Sequence, residues 1–507
     1  MNKHFKINII KEYRVKFALI ILLLTSCSFE HPKKSVTIGV PYFWASLDPI
    51  ERSTAVANSI LLNEFEPLIK INKYGVLQPN LAKKWFISKD FKTIDFFINT
   101  EAKFSNGTLL SASIIKKSWT EAVNKSKNPQ LSPLSALFSK LKGWEKFHKT
   151  HELSGLTVLS KEQIRLEFNE KITDAINILS YGRYGIVLRV NEKNYGTGPY
   201  KINNHDNEKI VFHKNVFSKI ENLFEEIKVV VIPPNEAINE LLNNKIDIYP
   251  KAEKIKEIDC EKKQKEINCI FGFEENHDVM QINSLNGIFK NSENRRALLS
   301  LIYHEKIKTL PAFYKDQQFF LPFQIGRLAD MTIEKQILSK KSSIKIIKNN
   351  LKKNTVRYLT SFEQDPYFDF LKSININLTK DSGYRPVEEL VKALKSNTGS
   401  DLVHLTYGVM PGDPININFF LGHEGNMTSK WSYTETINRL LKAGLTEEDR
   451  IKRNIIYKEI NKELISQSKL IHLGFSKRVS IFNSKKVKIR NNEPSINSSE
   501  LVFFEPL

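Results

Sequence analysis

Apolar and polar positions alternate over short runs through most of this chain, and the runs change period often enough to demand both strands and helices. Val36-Thr37-Ile38-Gly39-Val40 reads as a buried strand stopped by Pro41, and Trp44 to Pro49 carries turn chemistry. Ser53 to Phe65 has helical spacing. Hairpin signals follow: Ile69-Lys70-Ile71, a turn through Asn72 to Gly75, Leu81 to Trp85, the strand Ile94 to Ile98, and the tight turn Ser105-Asn106-Gly107-Thr108. Ser113 to Val123 reads as a helix with Ser111 as its cap. Strand Ile227 to Ile232, helix Asn235 to Asn243 and strand Ile246 to Tyr249 come next. Asn294 to Ile307 reads as a helix with Arg295 and Arg296 outward and Ala297, Leu298 and Leu301 inward. Helical periodicity returns over Thr434 to Leu441 and Glu447 to Ser466, before two strands at Lys469 to Phe475 and Val479 to Phe482. Mixed elements without internal repeats predict an α/β class.

The N-terminal region breaks this pattern. Lys3, Lys6, Lys11, Arg14 and Lys16 precede an apolar run, Phe17 to Leu24, and then Thr25-Ser26-Cys27. Positive charge, a short greasy core and small residues describe a secretory signal peptide. The run is too short for a permanent membrane helix, which needs roughly 20 residues. Cys27 directly after Leu24-Thr25-Ser26 resembles the bacterial lipoprotein signal, in which that cysteine is acylated and becomes the new N-terminus. An ordinary cleaved signal with an incidental cysteine is the alternative. Residues 1–26 are therefore expected to be the leader and 27–35 a lipid-anchored tether. The protein is expected to be exported and fixed to the cell membrane or outer membrane, facing the periplasm or the cell exterior. Acyl chains contribute about 0.8 kcal/mol per buried CH₂, and a stable anchor takes more than one.

A length of 507 residues leaves room for two to four domains at about 100–200 residues each. The net charge of +20 suggests nucleic acid, but an exported protein meets little of it, and lysine is spread along the chain rather than clustered. A basic, solvated surface that steers anionic partners or lies near acidic headgroups fits better. Besides Cys27 the cysteines are Cys260 and Cys269. In an oxidising compartment they either close a short structural disulfide, stabilising by about 2–3 kcal/mol, or stay reduced. Their spacing matches no zinc pattern.

Several segments, in order, resemble one family. They are Phe65-Glu66-Pro67-Leu68, then Leu77 to Asp90 with Pro79, Leu81, Trp85, Ser88 and Asp90, and Ala102 to Ala112 with Lys103-Phe104-Ser105-Asn106-Gly107-Thr108. Gly143 to Phe147, Ser154-Gly155-Leu156, Gly196-Thr197-Gly198-Pro199-Tyr200-Lys201, Ala237 to Ile248, Arg295 to Leu298 with His304-Glu305-Lys306, Tyr407 to Pro414 and Arg453 to Leu464 follow. Across residues 36 to 490 the chain resembles the extracytoplasmic solute-binding proteins of peptide and nickel ABC transporters (solute-binding family 5). The resemblance implies a two-lobed periplasmic-binding-protein type II fold with an inserted third small domain and a ligand cleft between lobes. It implies lobe I at 36–65, 190–270 and 471–507, the inserted domain at 66–189 and lobe II at 271–470. It further implies an importer subunit that captures oligopeptides and delivers them to ABC permease subunits, working as a monomer. A receptor of the same fold without transport, or a binder of a non-peptide solute such as a nickel complex, is the other reading.

In peptide-binding members the segment matching Tyr407 to Pro414 lines the cleft. The resemblance gives Tyr407 the place of an aromatic stacked on the ligand. Met410 stands where an aspartate would pair with a peptide α-ammonium, and methionine cannot pair with a cation. Asp413 reads either as a cap or turn residue before Ile415 or as a ligand contact. Trp44 is a cleft aromatic or a packing residue. Asn283 offers its amide to a ligand backbone or caps a strand end, while Trp431 and Tyr433 read as core. Such binding relies on main-chain hydrogen bonds and water-filled pockets, so few side chains stand out. His148 and His151 form a helical-looking pair, and His423-Glu424 lacks the second histidine of a metalloprotease motif. With no nucleophile motif or phosphate loop, neither catalysis nor a cofactor nor a metal site is expected.

Overall fold

The computed structural model describes residues 34–41, 47–48, 60–71, 76–125, 134–173, 175–206, 208–221, 223–250, 267–305, 341–362, 365–396, 399–408, 431, 434–489 and 504–506. Strand β1 (Ser35–Val40) buries Val36, Ile38 and Val40, the alternate positions its sequence makes apolar. The chain then builds a body of its own. Strands β2 (Ile69–Ile71) and β3 (Leu77–Pro79) form a hairpin. Strands β4 (Ala82–Ile87), β5 (Thr93–Ile98), β6 (Leu156–Ser160) and β7 (Gln163–Glu167) form an antiparallel sheet ordered β4-β5-β7-β6.

Period-two patterning sets the faces of this sheet. Ile94, Phe96 and Ile98 of β5 and Ile164 and Leu166 of β7 are buried in one core with Ile115, Trp119 and Val123 of the helix Ala112–Lys125. Ser111 does cap that helix, accepting a hydrogen bond from the Ile114 amide at 3.4 Å. On the opposite face Asp95 and Arg165 are cross-strand partners joined by two parallel hydrogen bonds of 2.7 Å. A small ribbon of β8 (Leu188–Val190) and β9 (Lys193–Tyr195) closes the body.

The remaining strands join β1 in one ten-stranded sheet. They are β10 (Tyr200–His205), β11 (Lys209–Lys214), β12 (Glu226–Val231), β13 (Ile248–Tyr249), β14 (Ile267–Ile282), β15 (Tyr358–Thr360), β16 (Gly383–Tyr384), β17 (Leu402–Gly408) and β18 (Leu470–Asn483). Their order is β10-β11-β12-β1-β13-β18-β14-β17-β15-β16. β1 lies parallel to both β12 and β13, while β14 and β18 run antiparallel. The elements on either side of the β14–β18 pair keep separate cores. Val36, Ile38, Phe212 and Ile227 belong to one, and Met280, Leu298, Ile347 and Tyr358 to another.

Two expectations are corrected. The C-terminal strands expected at Lys469 to Phe475 and Val479 to Phe482 are one continuous strand, β18. The polar run Ser476-Lys477-Arg478 breaks the apolar alternation but not the backbone pairing, which carries Ser476 opposite Asn276 and Lys477 opposite Glu274. Arg295 does not face outward; it is buried in the helix Ser292–Glu305. Its guanidinium donates to the carbonyls of Phe289 (2.7 Å), Lys290 (3.0 Å) and Gln467 (3.0 Å). Three carbonyl dipoles offset the cost of taking that charge out of water. Arg296, 42% exposed on its side chain, does face outward.

The Gly196-Thr197-Gly198 run earns its glycines by close approach rather than by a turn angle. A Cβ at Gly196 would stand 1.8 Å from the Glu64 carbonyl oxygen, and one at Gly198 2.2 Å from that of Asn63. The gap is closed by hydrogen bonds: Gly198 N–H donates to Glu64 O at 2.9 Å and Tyr200 N–H to Asn63 O at 3.1 Å. This seam locks the segment that leads into the inserted body against the segment that leads out of it, on the β1 half. Glu64 itself is buried, with Oε2 accepting from Ile202 N–H at 3.0 Å. Burial raises its carboxyl to about 8, against the lowering effect of that hydrogen bond and of Lys201. Gly196→Ala should destabilise the protein by about 3 kcal/mol or more, because backbone rather than a yielding side chain fills the space, and chemical denaturation will measure it.

Candidate functional site: the hinge and the end of β17

The β14–β18 ribbon is the covalent bridge between the two cores. On the far side of β14, β17 begins pairing only at Asn276, opposite Gly408. On the far side of β18, β13 pairs only with Ile481 and Phe482. Between Phe271 and Asn276 the bridge is therefore two strands wide among the described residues. The register shifts between Phe271 and Glu274 and again before Asn276, so irregular pairing falls within this narrow section. Two-stranded ribbons take the largest twist and bulges bend them, which makes this stretch the natural flexing point.

Polar side chains gather where β17 leaves the sheet. His277 and His472 are both buried, with His277 Nε2 and His472 Nδ1 2.5 Å apart and ring centroids at 4.5 Å. Burial lowers His277 to about 3, so it is neutral at physiological pH. Next to it, Thr406 Oγ1 donates to Asp278 Oδ1 at 2.6 Å. Tyr407 pairs with His277 and Gly408 with Asn276, after which the chain passes out of the described residues.

A second network lies along β17. Asp365 caps the helix Pro366–Ser373, its Oδ1 accepting from the Tyr367 and Phe368 amides at 2.8 and 3.2 Å. Its Oδ2 accepts from Tyr358 Oη at 2.8 Å and His404 Nδ1 at 2.8 Å. Burial alone would push this carboxyl up. Attraction to His404 and hydrogen bonds from His404, Thr360 and Tyr358 outweigh that and bring it down to about 2. Phe362 stacks on the His404 ring at 4.6 Å, and His404 Nε2 is buried without a hydrogen-bond partner. These groups brace the second core and orient the strand that ends at the candidate cleft.

The expected site residues divide by position. Tyr407 lies at the end of β17, on the hinge side of the sheet. Asn283 is buried just after β14, with Nδ2 donating to Ser400 O at 2.9 Å and Oδ1 accepting from Leu285 N–H at 3.1 Å. Cys269 sits on β14 and is disulfide-bonded. Trp44, Met410, Asp413, Cys27 and Cys260 lie outside the described residues, as do Tyr433 and His423-Glu424. Trp431 is fully buried and donates from Nε1 to Ser396 O at 2.9 Å. His148 is exposed on the short helix Phe147–Thr150, and His151 is that helix's left-handed cap, its Nδ1 2.8 Å from Asn124 Oδ1. Among the described residues no group of three His, Cys, Asp or Glu side chains is placed to hold a metal, and no helix is long and apolar enough to cross a membrane.

Sequence reasoning passed over His277, His404 and His472. His404 and His472 each interrupt an apolar run, Leu402-Val403-His404-Leu405 and Leu470-Ile471-His472-Leu473, and a lone titratable residue in such a run is the signal that finds them; His277 lies in the polar stretch Glu274 to Asp278, where no such signal marks it.

Comparison with known proteins places this geometry. Residues 76–310 match the family model of the bacterial extracellular solute-binding proteins, family 5 Middle. The nickel-binding protein NikA of Staphylococcus aureus is 28% identical over 187 residues, which is 36% of this chain and 34% of the relative. The periplasmic oligopeptide-binding protein OppA of Haemophilus influenzae is 26% identical over 193 residues, 34% of each chain. The matched stretch thus spans about a third of the length of these curated relatives. The Helicobacter pylori periplasmic binding protein DppA, solved with the peptide STSA, superposes with a TM-score of 0.75 at 16% identity over 93% of this chain and 98% of that one.

Because His277 is held neutral when folded but charges near 6.5 when unfolded, its contribution is present above about pH 6.5 and is lost as pH falls toward 3. Acidification from pH 7 to 4 should lower the unfolding midpoint, and His277→Asn should flatten that slope when denaturation is followed against pH.

Proposed function

We propose that this chain, a member of the bacterial extracellular solute-binding proteins of family 5, is the lipid-anchored binding subunit of an ABC importer and captures short peptides between its two lobes. The observation that carries the reading is the two-strand hinge between separately cored halves. A protein built this way encloses a ligand by bending one narrow ribbon, without repacking either core.

In this reading 66–189 is the inserted domain, which the continuous core from Leu68 to Leu188 supports. Residues 36–65, 190–270 and 471–507 make the first lobe and 271–470 the second. Tyr407 stacks on the ligand, Met410 and Asp413 are further ligand contacts, and Trp44 is a cleft aromatic. Asn283 acts one step back, holding the strand exit beside the cleft. Cys269 bonds to Cys260, and Cys27 carries the acyl anchor. The monomer presents its closed form to permease subunits on the outer side of the membrane. With methionine at 410, the peptide is held chiefly through its main chain rather than through its ammonium group.

A nickel complex is the second reading, favoured by the likeness to a nickel-binding relative over much the same share of the chain. Native mass spectrometry of the soluble protein from Ser28 onward, purified without denaturation, separates the two. Co-purified masses fitting short peptides are expected. A mixed peptide library at a hundredfold excess over Kd should add about 2.7 kcal/mol of stability, read as a melting shift. A bare protein with no shift would overturn the peptide reading, and nickel found with a small organic chelator would put the second in its place.

A further inference from the structure

The chain passes between the halves of the molecule through β14 and β18, and a non-covalent contact made by other elements ties them again. Thr173, buried in the inserted body just after β7, directs two donors at one carbonyl of the second lobe. Its N–H lies 3.1 Å and its Oγ1 2.7 Å from Leu445 O. The same hydroxyl accepts from Arg453 Nη1 at 3.1 Å. Beside it, Lys171 ion-pairs with Glu448, and the Leu445 side chain packs against the core of the inserted body.

The elements explain why the contact forms. Leu445 belongs to the last turn of the helix Glu435–Thr446, and Arg453 to the first turn of the helix Arg450–Gln467, which Asp449 caps. A last-turn carbonyl has no partner within its own helix. Here the partner comes from across the hinge. Because Arg189 and Lys125 of the inserted body both ion-pair with Asp48, and Val187 packs with Leu61 and Phe65, the inserted body is bound to the β1 half, and a bend at the two-strand ribbon has to break this contact.

We propose that Thr173, Leu445, Arg453 and the Lys171–Glu448 pair form a closure latch. The latch holds the inserted body against the second lobe in the ligand-free protein, so residues remote from the ligand set how much of the protein is closed. It rests on the two-lobed reading of the fold and not on what the cleft binds. Apparent affinity scales with the competent fraction, so the latch tunes binding without touching the ligand. The ion pair is partly exposed and worth only a few-fold in the equilibrium, weakening with salt, while the buried Thr173 hydroxyl contributes the larger share.

Spin labels at Lys149→Cys on the inserted body and Lys392→Cys on the second lobe report the closed share of ligand-free protein by pulsed dipolar spectroscopy. Thr173→Val should lower the closed-to-open ratio about tenfold, and Thr173→Ser, which keeps the hydroxyl, should not. Lys171→Glu should open the protein a few-fold, and the swap Lys171→Glu/Glu448→Lys should restore closure. Distance distributions that Thr173→Val and Lys171→Glu leave unchanged, or a swap that fails to recover what Lys171→Glu loses, would overturn the latch. The distances are read with no ligand present. Failure here therefore leaves the peptide reading intact, and a bare protein in mass spectrometry leaves the latch intact.

Discussion

Where β14 runs past β18 between Phe271 and Asn276, each strand has the other as its one sheet neighbour among the described residues, and the sheet pairing that relates the two halves runs along that pair. On one side Ile481 and Phe482 hand the ribbon to β13 and so to β1; on the other, Asn276 to Ile282 hand it to β17. The anchorage is tight at both ends. Asp247 Oδ2 accepts from Thr37 N–H at 2.8 Å, and Asn483 N–H donates to Asp247 O at 2.8 Å, tying β1 to the end of β18. At the other end the buried histidine pair and the Asn283 amide fix β14 against its neighbours. Rigid ends and a narrow middle concentrate bending in a few residues.

Such a plan separates stability from recognition. Cores on both sides close over aliphatic and aromatic side chains, and the buried charges are absorbed locally: Arg295 by three carbonyls, Asp365 by Tyr358, His404 and a helix N-terminus. Titration splits along the same line. Glu64 favours folding at low pH because burial raises it, and His277 favours folding at higher pH because burial lowers it. The seam and the hinge thus respond to acid in opposite senses.

Much of this was legible in the chain itself. Short apolar alternation gave β1, β5 and the helix after Ser111, where burial on one face decides the element. The glycines of Gly196-Thr197-Gly198-Pro199-Tyr200 were compatible with either a left-handed turn or a close approach, and did not tell that Asn63 and Glu64 were the surface approached. What stayed hidden depends on partners distant in sequence. β14 and β18 are long because they pair with each other, and their polar middles read locally as breaks. Arg295 looked like a surface residue because its carbonyl partners come from a short turn and from Gln467, 172 positions away. Of the candidate cleft, Tyr407 and Asn283 fall among the described residues, whereas the segment of Met410 and Asp413 does not.

The pairing pattern also dictates an order of folding. The inserted body joins β4, β5, β6 and β7 over fewer than a hundred residues, so it can form early and alone. β1 has no strand partner until Glu226–Val231 is available, β14 none until Leu402–Gly408, and the join between β13 and β14 waits for Leu470–Asn483. The centre of the main sheet therefore closes late, once nearly the whole chain can collapse, and the N-terminal strand has no partner until nearly half of the chain has been made. Slow, long-range closure is a hazard for aggregation. It is also the property that would keep a chain threadable through a translocation channel until its last strand had followed its first.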